Sequence, residues 1–301
     1  MISLLTRLVS AFPAAPQPSP RSSSSPRSSS SPIMQPSIIY GTAWKRERTT
    51  ELVLQALRAG YRAVDTACQP KHYREELVGS ALTAAEAEGI MTRADVHLQT
   101  KFTPLAGQDP ENLPYDASAP LEEQVKQSMA ASLRNLRTRY VDCLVLHSPL
   151  PSHAETMRVW HQMEAHVAMG EARSLGVSNI YDLGALTKLH RDAAVKPAIV
   201  QNRFYADTGH DASIRKFCRA NAITYQSFWT LTGNRQLVQG RAVREVARAH
   251  GCTAEQTWLA FVRSLGITPL SGTTSSEHMV HDLQLPTLRP AEVERLTWLI
   301  S

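Results

Sequence analysis

From residue 38 onward the chain alternates between two hydrophobic patterns. Short apolar or β-branched runs recur at 38-IIYG, 62-RAVDT, 95-DVHLQTKF, 140-YVDCLVLH, 172-ARSLGVS, 196-KPAIVQN, 223-ITYQSF and 267-ITPLSG. Between them lie helical patterns at 47–59, 73–88, 120–137, 154–169, 181–192 and 211–221, a pair at 240–250 and 254–265, and a tail near 275–300. Eight strands in alternation with helices predict a single (β/α)8 barrel. A doubly wound sheet is the competing arrangement, but no GxGxxG follows any of the runs.

The first 35 residues follow neither pattern. MISLLTRLVSAF reads as one short amphipathic helix, and PRSSSSPRSSSSP is too polar and repetitive to pack. Two units are therefore expected: a leader over 1–35 and a barrel over 36–301. An acid-free leader with Arg and Ser is the composition of an organelle transit peptide, with the mitochondrion ahead of the plastid. The alternatives are a cytoplasmic protein with a tail that carries no address, or translation that begins at Met34.

Charge narrows the class of partner. The net charge is +5, and Arg7, Arg21, Arg27, Lys45 and Arg46, in a stretch without acids, account for all of it. A body with no net charge gives no reason to expect nucleic acid. No window approaches the roughly 18 uninterrupted apolar residues of a spanning helix, so no membrane partner is expected. Cys68, Cys143, Cys218 and Cys252 are far apart and lack metal spacing, which reads as reduced thiols.

In a barrel, polar groups at the C-terminal ends of strands converge on one rim, where such enzymes build their sites. Asp65, Lys101, His147, Ser178 and Asn179, and Gln201 and Asn202 end strands two to six. Each alone has an ordinary reading as a cap, a solvated charge or a rim histidine. Together with Tyr73 they suggest chemistry. A phenol with a pKa near ~10 is a poor acid, and an adjacent ammonium makes it a better one. Asp65 would keep Lys101 protonated, and a neutral His147 would orient a substrate oxygen. Such a set suits carbonyl/alcohol interconversion with hydride supplied by a cofactor.

At these residues the chain resembles the aldo-keto reductases. GYRAVDTA, LQTK, YVDCLVLHSP, LGVSN and VQN look like that family's successive strand motifs, in its order, from about residue 38 to 283. The resemblance implies a barrel that binds NADP(H), with NAD(H) as the alternative, and reduces a small aldehyde or ketone. Asp65, Tyr73, Lys101 and His147 match its catalytic residues. By the same resemblance Ser178, Asn179 and Gln201 would hold the nicotinamide carboxamide, with Ser227 on the seventh strand. Ser271, Gly272, Thr273 and His278 would serve the adenosine phosphates.

Three departures stand out. Most members place the tyrosine five residues after the aspartate, where this chain has Pro70, and Tyr73 is eight along. Either CQPKH bulges and returns Tyr73 to the rim, or the tyrosine role is lost, with His72 as a substitute donor. Leu270 replaces the usual basic residue after the last strand, and His278 stands where an arginine is common, which removes fixed charge from the 2′-phosphate site. The resemblance also implies a ring stacked on nicotinamide after the seventh strand, for which Tyr225, Phe228 and Trp229 are candidates, each with core packing as its alternative.

Other features carry less. The Pro-rich loop 103–120 either walls the substrate pocket or is a surface insertion. Trp160 reads as packing and His161 as solvent face. His97 lacks the HxH partner of a metal-dependent hydrolase barrel. Beside the reductase reading stands a second class, a nucleotide-binding regulatory or redox-sensing subunit with little turnover.

Overall fold

The computed structural model describes residues 37–300. The leader, with its targeting expectation and the Met34 alternative, lies outside the described residues. Strands β1 (Ile39–Gly41), β2 (Ala63–Asp65), β3 (His97–Phe102), β4 (Cys143–Leu146), β5 (Leu175–Ser178), β6 (Ile199–Arg203), β7 (Thr224–Phe228) and β8 (Ile267–Ser271) pair in parallel and close into a barrel in sequence order. The helices are α1 (Thr49–Ala59), α2 (Glu75–Ala87), α3 (Leu121–Leu136), α4 (His153–Ala168), α5 (Leu183–Asp192), α6 (Ala212–Ala220), α7 (Arg235–Val238), α8 (Arg241–His250), α9 (Ala254–Ser264), α10 (Ser276–Leu283) and α11 (Pro290–Thr297). The fold is the expected (β/α)8 barrel.

Period-two alternation along β4 sorts its side chains. Leu144 and Leu146 join the large core shared with the helices, while Cys143 and Val145 pack with Ile199 of β6. Gly176 of β5 fits this second cluster because it lacks a side chain: a Cβ there would sit 3.1 Å from Ile199 and 3.2 Å from Val145. The barrel interior is thus apolar along β4 to β6, and it turns polar toward the strand ends.

Helix boundaries follow local chemistry. Ser152 and Glu155 form a capping box on α4, and Thr253 and Gln256 form one on α9, each satisfying orphan N–H groups. α1 stops at Gly60, which takes a left-handed φ of 117°. The helical tail expected near 275–300 consists of α10 and α11. Pro290 occupies the first turn of α11, and with Pro286 it cannot continue α10, since each lacks a backbone donor.

Candidate functional site

The polar rim is built from strand ends. Asp65 Oδ1 accepts from Lys101 Nζ (2.6 Å), Gln99 Nε2 (2.6 Å) and Gln201 Nε2 (2.9 Å), so donors from β3 and β6 converge on the β2 carboxylate. Lys101 also donates to the Thr66 carbonyl at 2.8 Å. Gln226 of β7 completes the layer: it accepts from Gln99 (2.8 Å) and Gln201 (3.0 Å), and donates back to Gln99 (2.9 Å). Lys101 is only 1% exposed. A buried ammonium of this kind persists only because every donor direction meets an acceptor or a π-face.

Tyr73 reaches this layer through an irregular connector. Beyond β2 the chain keeps pairing with β3, Cys68 N–H donating to the Lys101 carbonyl at 3.1 Å. It then reverses tightly, with His72 and Tyr73 N–H both donating to the Gln69 carbonyl at 3.0 Å. The turn absorbs the extra residues and returns the Tyr73 ring to 5.3 Å from Lys101 Nζ and 6.0 Å from the His147 ring, centre to centre. Lys71 is exposed, whereas His72 faces the cavity and packs against the Trp44 ring, tilted by 40° with ring centres 3.9 Å apart.

The loop 103–120 braces that turn and is absent from the cavity lining. Gln108 donates to the Cys68 carbonyl (2.9 Å), Gln69 donates to the Gly107 carbonyl (2.6 Å), and Tyr115 donates to the Thr103 carbonyl (2.7 Å). On the far side, Glu75 at the start of α2 accepts from Thr100 of β3 (2.5 Å) and Ser132 of α3 (2.9 Å).

Electrostatics modify one expectation. Burial, then the Asp65 charge, push the Tyr73 phenol well above its ordinary pKa. The acidifying effect expected of Lys101 does not prevail over burial. His147 is held well below the ordinary histidine value, by burial first, then by Lys101 and His72, so its ring is neutral at neutral pH. Its Nδ1 pairs with Thr103 Oγ1 at 2.6 Å, and Asn179 holds its carbonyl at 2.9 Å. Nε2 is left as the nitrogen available to a ligand.

A cavity of about 850 Å³ runs over this layer, a size suited to a cofactor and a small substrate. Asp65, Tyr73 and His147 line it at one end, Ser178, Asn179 and Gln201 beside them, and Ser271, Gly272, Thr273 and His278 farther on. Lys101 lies beneath. Ser227 is not in the lining; it is fully buried and pairs with Thr230 at 2.9 Å. Of the three candidate rings, Phe228 and Trp229 line the cavity. Tyr225 is core, its hydroxyl donating to Asp211 at 2.9 Å.

Sequence reasoning missed several residues of the site. Lys45 reaches from the β1 rim to donate to the Gly272 carbonyl, which puts a cation beside the β8 loop that lost its own. The signal was present in GTAWK directly after the first strand. Gln99 and Gln226 were missed because a glutamine in mid-strand carries no motif. Among the described residues no cluster of His, Cys, Asp and Glu is arranged to hold a metal.

Comparison with known proteins supplies the context. The model of the Aldo/keto reductase family matches residues 37–300. A protein named NAD(P)H-dependent 6'-deoxychalcone synthase from Glycine max is 25% identical over 80% of this chain and 77% of its own. NADPH-dependent codeinone reductase 1-2 from Papaver somniferum is 26% identical over 84% and 82%. The crystal structure of an aldo/keto reductase from Brucella melitensis is 25% identical and superposes with a TM-score of 0.73, covering 88% of this chain and 95% of that one.

Proposed function

This chain belongs to the aldo/keto reductase family and is an NAD(P)-dependent oxidoreductase acting on carbonyl groups, and from that premise we propose that Tyr73 is the proton donor in reduction of a small aldehyde or ketone. One observation carries the reading: the Tyr73 ring lies 5.3 Å from a Lys101 ammonium fixed on Asp65, with His147 in the same cavity wall.

The cavity fits NADP(H), the cofactor named for these relatives. Gln201 has its Nε2 engaged by Asp65 and Gln226, which leaves Oε1 as an acceptor for a carboxamide, beside Asn179 and Ser178. Phe228 or Trp229 gives the stacking face. Lys45 and the segment Ser271, Gly272 and Thr273 would meet phosphate oxygens. When bound, the nicotinamide supplies the hydride.

Each residue has a definable task. His147 Nε2, in a ring kept neutral, donates to the carbonyl oxygen and sets its position. Tyr73 holds its proton because burial disfavours phenolate, and gives it up as charge develops on that oxygen. Lys101 then stabilises the phenolate it faces, and its hydrogen bond to Asp65 keeps it aimed.

Loss of absorbance at 340 nm with NADPH and a panel of aldehydes and quinones tests the reading. Nucleotide binding without oxidation across the panel overturns it in favour of a sensing role. We also propose the leader, residues 1–35, as an organelle address, on its acid-free Arg and Ser composition. A diffuse signal from residues 1–34 fused to a fluorescent protein removes that idea.

A further inference from the structure

Arg203 ends β6, two residues past Gln201 and therefore on the same side of the strand. It lines the cavity. Its guanidinium carbon lies 3.9 Å from the Trp229 ring centre, 5.2 Å from Tyr205 and 5.9 Å from Phe228. Among the described residues its side chain makes no hydrogen bond and no ion pair, and Nε is closed off from water without a partner.

That combination is unusual for an arginine. A guanidinium free to move would turn its donors to water, and a buried donor left without a partner is destabilising. Here three rings cradle the group. Stacking uses the face of the guanidinium and leaves its in-plane N–H groups unused, the edge that meets carboxylate or phosphate bidentately. Of the acids that line the cavity, Asp65 and Asp282 are engaged elsewhere, as is the buried Asp211 beside β6, while Glu255 is exposed and forms no ion pair with Arg203. Asp65 is held by Lys101, Asp282 accepts from Ser271 at 2.5 Å, and Asp211 accepts from Asn202 at 2.7 Å and from Tyr225 at 2.9 Å.

We propose that Arg203 recognises an oxyanion on a ligand of this cavity, carried either by the nucleotide as phosphate or by the carbonyl substrate as carboxylate. The inference rests on the cavity being a nucleotide and substrate site, as argued above. Nothing in the reduction chemistry requires Arg203, so it acts in affinity and selectivity rather than in proton transfer.

Arg203→Gln and Arg203→Lys, in the full chain, test the proposal. Quenching of tryptophan fluorescence by NADPH gives the nucleotide Kd without turnover, since Trp44 and Trp229 line the cavity. Steady-state rates with 4-carboxybenzaldehyde and benzaldehyde at saturating NADPH give the substrate arm. A rise in NADPH Kd of roughly tenfold or more in Arg203→Gln identifies the phosphate. A similar fall in kcat/KM for 4-carboxybenzaldehyde alone, with Kd unchanged, identifies the carboxylate. Constants all within about twofold of the parent, or equal losses on both aldehydes with unchanged Kd, overturn the proposal. Should Arg203→Gln fail to fold, Arg203→Lys carries the test, because it keeps the charge and loses the fork. If the parent reduces neither aldehyde, binding of benzoate against benzamide replaces the rate measurement, which separates this proposal from the reductase reading.

Discussion

The Lys101 ammonium lies 5.3 Å from the centre of the Tyr73 ring, although Tyr73 stands eight residues past Asp65 on a connector broken by Pro70. The contact exists because the Gln69 carbonyl gathers two N–H groups and turns the chain back. The consequences can be measured.

Tyr73→Phe removes the proposed proton donor and leaves the ring packing in place. Reduction is expected to fall by roughly 10²–10⁴-fold, with the NADPH Kd within about twofold of the parent. Unchanged turnover at 340 nm would shift the donor role to His72, which lines the same cavity.

Lys101→Met leaves Asp65 buried without its countercharge. Breaking such a pair costs about 3–5 kcal/mol, so the denaturant midpoint should fall markedly and activity should disappear. An unchanged midpoint would mean that the convergence of β3 and β6 donors on Asp65 contributes little.

Lys45→Met removes the cation that bonds the Gly272 carbonyl. If Lys45 meets a phosphate, NADPH affinity drops roughly tenfold or more, the scale of a charge-assisted hydrogen bond. Fluorescence titration of the variant decides it.

Gly79→Ala probes the α2–α3 contact that sets where the Tyr73 connector enters its helix. The new Cβ would lie 2.2 Å from the Asn135 carbonyl oxygen and 3.0 Å from Leu136 backbone. Helix propensity favours alanine by about 1 kcal/mol. Overpacking against backbone that cannot yield opposes it by about 1–3 kcal/mol or more. A net fall in thermal midpoint is expected; a rise would show that the helices can separate without loss.

Burial holds the Glu75 carboxyl above its ordinary pKa. The native state therefore keeps a proton that the unfolded chain loses, and this group's contribution to stability declines as pH rises from the ordinary carboxyl value through the raised one. Glu75→Gln has no proton to lose, so its midpoint relative to the parent should climb with pH over that window. Thermal unfolding from acid to mild alkali checks this, and a constant difference would count against a raised pKa.

The barrel was legible in the chain because parallel strands covered on both faces read as short apolar runs, and the eight runs at IIYG through ITPLSG all become strands. Asp65, Lys101, His147 and Gln201 were legible for a related reason. Strand ends in this architecture point at one rim, so position along the chain translates into position in space. The tail near 275–300 was legible as helical, and its division into α10 and α11 falls at Pro286 and Pro290.

What only the tertiary structure decided lies in irregular backbone and in contacts between distant strands. The return of Tyr73 depends on a turn that Gln69 closes and the loop 103–120 props from outside. The role of that loop as brace instead of pocket wall followed from the same contacts. Lys45 meets Gly272, and Arg203 lies against Trp229, across strands far apart in sequence. Hydrophobic period is a local property of the chain, and so it announces the strands. The partner of a buried charge is set by barrel closure, which no local pattern records.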